Sequence, residues 1–505
     1  MTNIRDYFAG GKKLGFINVA FSARATGESA WLLLGLTGMG YAIGAQAFWV
    51  VLGEMIGVGG AWLLMSRRFK RLTDRYDSIT IPDYLESRFR DSGHWIRLIS
   101  VVALLVFVPI YAGTQVHASG GAFFGFLGIP HYWGATIGFA IVLIYITQGG
   151  FTAVAWSDVF QGTLMLMGLV VLPIVVLLEV GGITNILDAV RSVDPHLLTL
   201  HGPGPTSDTV FPAIAETGGW TTATIFTIVG LVAIGIGFFG SPQVFVRFIS
   251  MRSEKEIAPG ATTALIWTLL ADSGAVLIGI TGRAVFTWGD LAGQGDQVAA
   301  GVEQAILPML SVNLLPAFFA GIYIAMVLSA IMSTIDSLLI VASSAAIRDY
   351  WQKTRHPDMS DERLMKLSRR LTIILSMIAF GIGIGIMLYD KDQPIFWTII
   401  FGWSGIAATF CPVMILSLYW RGLTAMGVRC AMIAGFLGVP FFKFAAPPIL
   451  AAMGLDDVAG YLGALDVLLP SFIIGFIVAI VVSLLDKPGQ ARLEGVAEEL
   501  KDAAR

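Results

Sequence analysis

Apolar runs and short polar breaks alternate along the chain on a length scale set by a lipid bilayer. Twelve stretches read as membrane-crossing helices, with approximate limits 14–39, 41–66, 97–120, 132–148, 152–180, 221–247, 260–287, 315–345, 371–389, 395–418, 425–444 and 465–485. Each approaches or exceeds the length of about 20 mostly apolar residues needed to cross hydrocarbon. They are numbered segments 1 to 12 below. Inside lipid each backbone amide must find its partner within its own segment, so helices are expected rather than strands. The runs also lack the short alternation of a membrane barrel. The pattern therefore predicts an all-α integral membrane protein with about 12 transmembrane helices.

Basic residues orient the segments, because loops on the cytoplasmic side concentrate Lys and Arg. Three lie in the N-terminal arm, eight between positions 67 and 97, three, seven and two after segments 6, 8 and 10, and four in the tail. The loops on the opposite side hold only Arg191 and Lys391. Both termini are thus expected in the cytoplasm of a multi-pass protein of the cell membrane. The chain divides into an arm (1–13), a first half with segments 1–5 (14–180) and an external loop (181–220) rich in turn residues, "HGPGPTSD". A second half with segments 6–10 (221–418), two peripheral helices (419–485) and a charged tail (486–505) follow.

Composition agrees. Of 505 residues, 56% are hydrophobic and 13% charged, with a mean hydropathy of +0.76, against about 25% charged in soluble proteins. A formal net charge of −3 argues against a nucleic-acid partner. Cys411 and Cys430 lie in apolar runs and suggest neither a disulfide framework nor a zinc site. The six histidines are scattered, so an enzyme is not expected. The start, "MTNIRDYFAGGKKLGF", is polar and basic and shows no cleavable signal peptide.

The chemistry lies where polarity interrupts the apolar runs. A charge at mid-membrane costs about 2.5–3.5 kcal/mol on insertion scales and usually faces a cavity. Arg24, Glu28, Glu54, Asp158, Asp272, Arg283 and Asp336 are such charges. Segment 1 carries "SARATGES" at its centre. This is either a broken helix whose freed carbonyls face a cavity, or a tightly packed helix of small residues with Arg24 and Glu28 paired one turn apart. Segment 6 carries "GLVAIGIGFFGSPQVFVRF", where Pro242 gives either a plain kink or a second break. Breaks at matching places five segments apart point to a repeat of inverted topology with the site between its halves. In segment 8, "LSAIMSTIDSLLIVASSA" puts Ser333, Thr334, Asp336 and Ser337 together. The hydroxyls either bond back to carbonyls one turn earlier or join the freed carbonyls in an oxygen cage suited to a hard, monovalent cation.

Six stretches, in this order, resemble the sodium:solute symporter family, and bacterial sodium/proline symporters within it. They are "DYFAGGKKLG" (6–15), "SAWLLLGLTG" (29–38), "ITIPDYLESRF" (79–89), "GGFTAVAWSDVFQGTLM" (149–165), "GIGFFGSPQVFVRF" (235–248) and "SAIMSTIDSLLIVASSA" (329–345). The resemblance implies a leucine-transporter-like fold of five-plus-five inverted repeats. It implies a sodium ion held by the carbonyls of Ala25, Glu28 and Ala330 and the hydroxyls of Ser333 and Thr334. Asp158 and Asp336 are then expected along the ion pathway or its gate, although Asp158 also reads as an acid at the inner end of segment 5. The solute is expected among Ser29, Ala30 and Trp31 of segment 1, Tyr111 and Gln115 of segment 3, Ile234, Phe238 and Pro242 of segment 6, and Trp403 and Ser404 of segment 10. Trp403 alone reads equally well as a packing residue.

The chain departs from the family pattern in three places. Gly27 stands where proline carriers have aspartate, with Glu28 next to it. Ile234 and Phe238 stand where they have tryptophan and tyrosine, so the pocket is less polar. Relatives also carry one more helix ahead of the "DYF" motif, outside the repeat core. The resemblance implies sodium-coupled import of a small solute, proline or a related amino acid or small carboxylate, by alternating access. A proton-coupled carrier and a solute sensor are the alternatives, the latter weakened by a tail of only about twenty residues after 485. A channel lacks support from any repeated pore loop. The expected partners are the solute, sodium and the bilayer, with no obligate protein partner.

Overall fold

A computed structural model of the chain describes residues 10–146, 151–203, 219–288, 305–390 and 393–504. Most of the N-terminal arm, the middle of the 181–220 loop and Lys391 lie outside the described residues. Among those described, all regular structure is helical, apart from one isolated bridge between Leu14 and Met251.

Ten helices among them are long and apolar enough to cross a membrane. The first, Phe16–Arg75, holds two of the expected segments. It turns back after Ile43, where Gly44 takes φ 59°, ψ −133°, a backbone state that side chains with a Cβ resist. Segment 4 is a shorter apolar helix, His131–Ile146. The remaining elements follow the expected order, but several outrun their apolar cores. Segment 3 extends over Trp95–Leu127 and segment 9 over Asp361–Tyr389. Segment 8 continues beyond Ala317–Ser344 through a π-helical stretch, Ala345–Arg355. Hydropathy marks the hydrocarbon thickness, whereas a helix continues into water as long as its charged side chains are solvated or paired.

Segment 1 packs against segments 5, 7 and 8 and lies at the centre of the molecule. Segments 11 and 12 pack on each other and on segment 10 at the periphery. The perimeter presents large apolar side chains outward, among them Leu63, Leu64, Ile144, Trp156, Phe160 and Leu178, as a surface solvated by lipid requires. The interior reverses the soluble-protein rule: Arg24, Arg88 and Arg247 are among the largest fully buried side chains. Arg247, counted in the sequence as a loop charge after segment 6, is thus an interior residue. Counting charges by loop cannot see that a half-helix keeps its arginine inside.

Segments 2 and 6 meet backbone to backbone. A Cβ added at Gly235 would lie 1.9 Å from the carbonyl oxygen of Gly53. Gly235→Ala is expected to force the helices apart and to cost about 1–3 kcal/mol. Thermal unfolding of the purified protein should show this as a lowered midpoint. Gly381→Ala, at a position with open space around it, should leave the midpoint unchanged.

Candidate functional site

Segment 1 is broken where its polar centre suggested. Within Phe16–Ala30, Ser29 has φ 47°, ψ −165°, a backbone state that costs about 1–3 kcal/mol for a residue other than glycine. The surroundings hold it there. The Ser29 hydroxyl oxygen accepts the Trp31 amide at 3.3 Å and the Gln115 side-chain amide at 3.3 Å. The Tyr111 hydroxyl reaches it at 3.5 Å. The Ala30 amide donates to Gln115 Oε1 at 3.1 Å, and Trp31 Nε1 donates to the Gly27 carbonyl at 3.1 Å. Segment 6 is broken as well: Thr222–Ala233 passes into a 3-10 stretch, Ile234–Phe239, and a new helix starts at Pro242 and runs to Ser250. Trp403 of segment 10 closes over this stretch. Its Nε1 donates to the Ile234 carbonyl at 3.1 Å, and its ring lies 5.1 Å from that of Phe238.

The structure therefore brings Ser29, Ala30, Trp31, Tyr111 and Gln115 together at one break and Ile234, Phe238 and Trp403 at the other. Gly27 joins them, since a Cβ there would lie 2.8 Å from the Phe238 ring. Pro242 opens the lower half of segment 6. Ser404 is buried, and its hydroxyl has no hydrogen-bond partner among the described residues. Gln243 was not anticipated. It is buried beside Pro242 with neither side-chain amide atom bonded among the described residues.

Below the break the two hydroxyls of segment 8 face segment 1. Ser333 Oγ donates to the Ala25 carbonyl at 2.9 Å and lies 3.0 Å from that of Ala330. Thr334 Oγ1 lies 3.3 Å from the carbonyl of Thr26. Back-bonding within the helix and contact with segment 1 thus coexist at Ser333. The Glu28 carbonyl accepts the Trp31 amide. Thr26 is the residue that the sequence reading missed at this point.

Two buried charge clusters flank these oxygens. On one side Arg24 touches the Glu28 carboxylate one turn away, with Glu54 Oε2 at 3.5 Å and Asp272 Oδ2 at 3.8 Å. Glu28, Glu54 and Asp272 each offer an oxygen within 4.8 Å of the others, and all are buried. The Arg24 guanidinium lies over the rings of Phe238 and Trp267 at 4.8 and 5.4 Å. The Arg24–Glu28 pair and the broken helix, alternatives in the sequence, are both present. On the other side Arg247 donates to Ser22 Oγ at 3.0 Å and Thr26 Oγ1 at 2.7 Å, lies 3.4 Å from Asp158 Oδ2, and also bonds the Ser337 hydroxyl. Ser22 donates to Asp158 at 2.6 Å, and Ser337 to Asp336 at 3.1 Å. Asp158 and Asp336 are therefore both buried in one network around a guanidinium. A signal for Arg247 was present: it is the one basic residue in the apolar helix "PQVFVRFIS".

The expected fold finds a counterpart among solved structures. A substrate-bound, outward-open Na+-coupled sialic acid symporter superposes with a TM-score of 0.73 at 20% identity, covering 96% of this chain and 92% of that one. Fold and site define an all-helical membrane protein of the leucine-transporter-like class, with paired helix breaks at its centre. Sequence comparison narrows the class. The model of the sodium:solute symporter family matches residues 7–435, and the chain belongs to that family. Among its relatives are the high-affinity proline transporter PutP of Bacillus subtilis, 31% identical over 99% of this chain and 96% of that protein. The osmoregulated proline transporter OpuE of the same organism is 30% identical over 99% and 94%. The sodium/proline symporter of Escherichia coli is 28% identical over 97% and 90%.

At the basic end of the molecule the "ITIPDYLESRF" motif forms a helix, Ile81–Phe89, capped by Thr80. Its Asp83 binds Arg97 at 2.9 Å, Arg348 at 3.3 Å and Lys353 at 2.6 Å, tying segments 3 and 8 to this helix. Burial alone would raise the Asp83 carboxyl, but the charges of Arg348, Lys353 and Arg97 outweigh it and hold it well below the usual carboxylate range. A depressed folded-state value gives stability that is present above the unfolded value and lost as pH falls through the folded one. Asp83→Asn should therefore lower the unfolding midpoint by a constant amount from neutral pH down to about 4. The gap should narrow only under stronger acid, which a pH series of thermal melts would read.

Proposed function

We propose that the protein is a sodium-coupled symporter that imports a small organic solute by alternating access. One observation carries the ion half of this reading: the Ser333 hydroxyl lies within bonding distance of carbonyls on two segments, Ala25 and Ala330, directly below the break at Ser29. Neutral oxygens in that arrangement suit a dehydrated monovalent cation. In this reading the carbonyls of Ala25, Glu28 and Ala330 and the hydroxyls of Ser333 and Thr334 hold sodium. Thr26, whose carbonyl faces Thr334, is an added candidate.

The solute binds between the breaks. Its carboxylate takes the Ala30 amide from Gln115, and its apolar body lies against Ile234, Phe238 and Trp403. The named proline transporters among its relatives favour proline or a related amino acid or small carboxylate. The chain crosses the bacterial cytoplasmic membrane twelve times with both termini inside. Segments 1–5 and 6–10 form the two repeats, and segments 11 and 12 stay peripheral. One sodium per neutral solute draws about 2.3 kcal/mol from 100 mV of membrane potential, roughly fiftyfold accumulation.

Proteoliposomes loaded with the purified protein test this. Labelled proline, with other amino acids and small carboxylates as competitors, should accumulate only under an inward sodium gradient. Ser333→Ala combined with Thr334→Ala should raise the half-saturating sodium concentration at least tenfold. Uptake that ignores sodium, or a double variant that titrates like the parent, would reject the ion site. The buried trio Glu28, Glu54 and Asp272, opposed by the single cation Arg24, favours proton coupling as a second reading. Accumulation driven by a pH gradient in sodium-free buffer would select it.

A further inference from the structure

Outside the transport path, a cavity of about 190 Å³ opens at the basic end of the molecule. It is lined by Arg88 and Arg90 at the end of the Ile81–Phe89 helix, by the first turn of segment 11 with Arg429, and by Arg492 of the tail. We propose that this cavity binds a phosphate group, carried by an anionic lipid headgroup or free in the cytoplasm.

The charge balance points there. Arg88 is 1% exposed, and its Nε donates to the Ser417 carbonyl at 3.1 Å. Neither of its Nη atoms has a hydrogen-bond partner among the described residues, and no acid pairs with it there. A buried guanidinium in that state needs an anion, since an uncompensated buried charge is strongly destabilising. Arg492 also lacks an ion pair among the described residues. The acids at the cavity are already engaged. Asp91 bonds Arg429 and accepts the Ile96 amide at 2.7 Å, while Asp486 accepts the Gly489 amide at 2.9 Å. Four arginines thus meet three carboxylates, Asp91, Asp486 and the Glu499 that pairs with Arg90, which leaves the cavity positive.

Its depth and shape suit phosphate. The N-terminus of the 16-residue helix Ala425–Pro440 lines the cavity through Ala425 and Met426, and unpaired amides at a helix start favour anions. Thr424 caps only the Gly427 amide, at 3.1 Å. Arginine forks match two phosphate oxygens at once. Segment 10 ends at Tyr419, segment 11 begins at Ala425 and segment 12 ends at Leu485. Residues next to the last two ends, Ala425, Met426 and Asp486, line the cavity, and segment 10 joins it through the Ser417 carbonyl that Arg88 bonds. The tail is clipped beside the site by Arg90 to Glu499 at 3.6 Å and Arg75 to Asp502 at 3.6 Å. An anion at the cavity therefore ties the tail to segments 10 and 11.

The full-length protein in detergent tests the proposal by native mass spectrometry with added phosphatidylglycerol or phosphatidylcholine. A parallel set of melts uses inorganic phosphate against chloride at equal ionic strength. The expected result is one saturable phosphatidylglycerol per protein over the phosphatidylcholine background, weakened at least fivefold by Arg90→Gln with Arg492→Gln. Saturable stabilisation by inorganic phosphate alone, with the same sensitivity to the variant, would support the site with a free phosphate as its occupant. No saturable binding of either probe by the unmodified protein would overturn it. So would binding that the double variant leaves unchanged, with sodium-driven uptake reporting that the variant is folded.

Discussion

The structure depends on leaving peptide groups unpaired in the middle of a membrane helix. In hydrocarbon this is prohibitive, because no water replaces the missing bond. Here the break at Ser29 is surrounded by donors and acceptors from neighbouring segments: Gln115 and Tyr111 from segment 3, and Ser333 and Thr334 from segment 8. Remove them and segment 1 has every reason to close into a continuous rod. The polar side chains of segments 3 and 8 are thus first of all the conditions for the break, and the break creates the site. The Trp403 indole performs the same service at segment 6, bonding the Ile234 carbonyl where the helix tightens.

Much of this was legible. Hydropathy located the segments, and glycine and small polar residues located both breaks, because those residues are poor choices for a lipid-facing helix and good ones for exposed backbone. The Ser333–Thr334 pair could be placed against segment 1 through the family resemblance. What stayed hidden depended on which way a side chain points. Thr26 and Ser22 lie one turn apart in "SARATGES" and looked like generic small residues; the structure shows both hydroxyls bonded to Arg247. Arg247 itself was read as a loop charge because it stands near a segment end, although it is the one basic residue in the apolar stretch "PQVFVRFIS". The helix ends were misjudged by up to ten residues, as at Asp361, since charge stops a hydropathy window without stopping a helix.

The charged residues make sense as consequences of segment 1's helical period. Positions 22 and 26 lie on one face, where both meet Arg247; Asp158 joins at Ser22 and Ser337 at Thr26. Positions 24 and 28 lie on another and meet Glu54 and Asp272. Ala25, between them, turns its carbonyl to Ser333. One short helix therefore presents a neutral oxygen site flanked by two ionic networks, each anchored by a buried arginine. In the proposed reading these neutral oxygens take the cation, with carboxylates and a buried arginine on either side of it.

This arrangement bears on how the site opens. The Arg247 network joins segment 1 to segments 5, 6 and 8, and in the proposed reading an ion leaving toward the basic end passes a guanidinium bonded to Ser22, Thr26 and Ser337. Those bonds are many but individually exchangeable for water, unlike the apolar packing around Phe238 and Trp403. A closed state held by polar bonds opens when water enters, whereas one held by packed rings opens only when helices separate. The two sides of the site are thus closed by different physics. Water can compete for the bonds of the polar side, whereas the aromatic side is held by Trp403, bonded to the Ile234 carbonyl and set against Phe238. A carrier needs barriers that can open one at a time, and two barriers of unlike origin need not fail together.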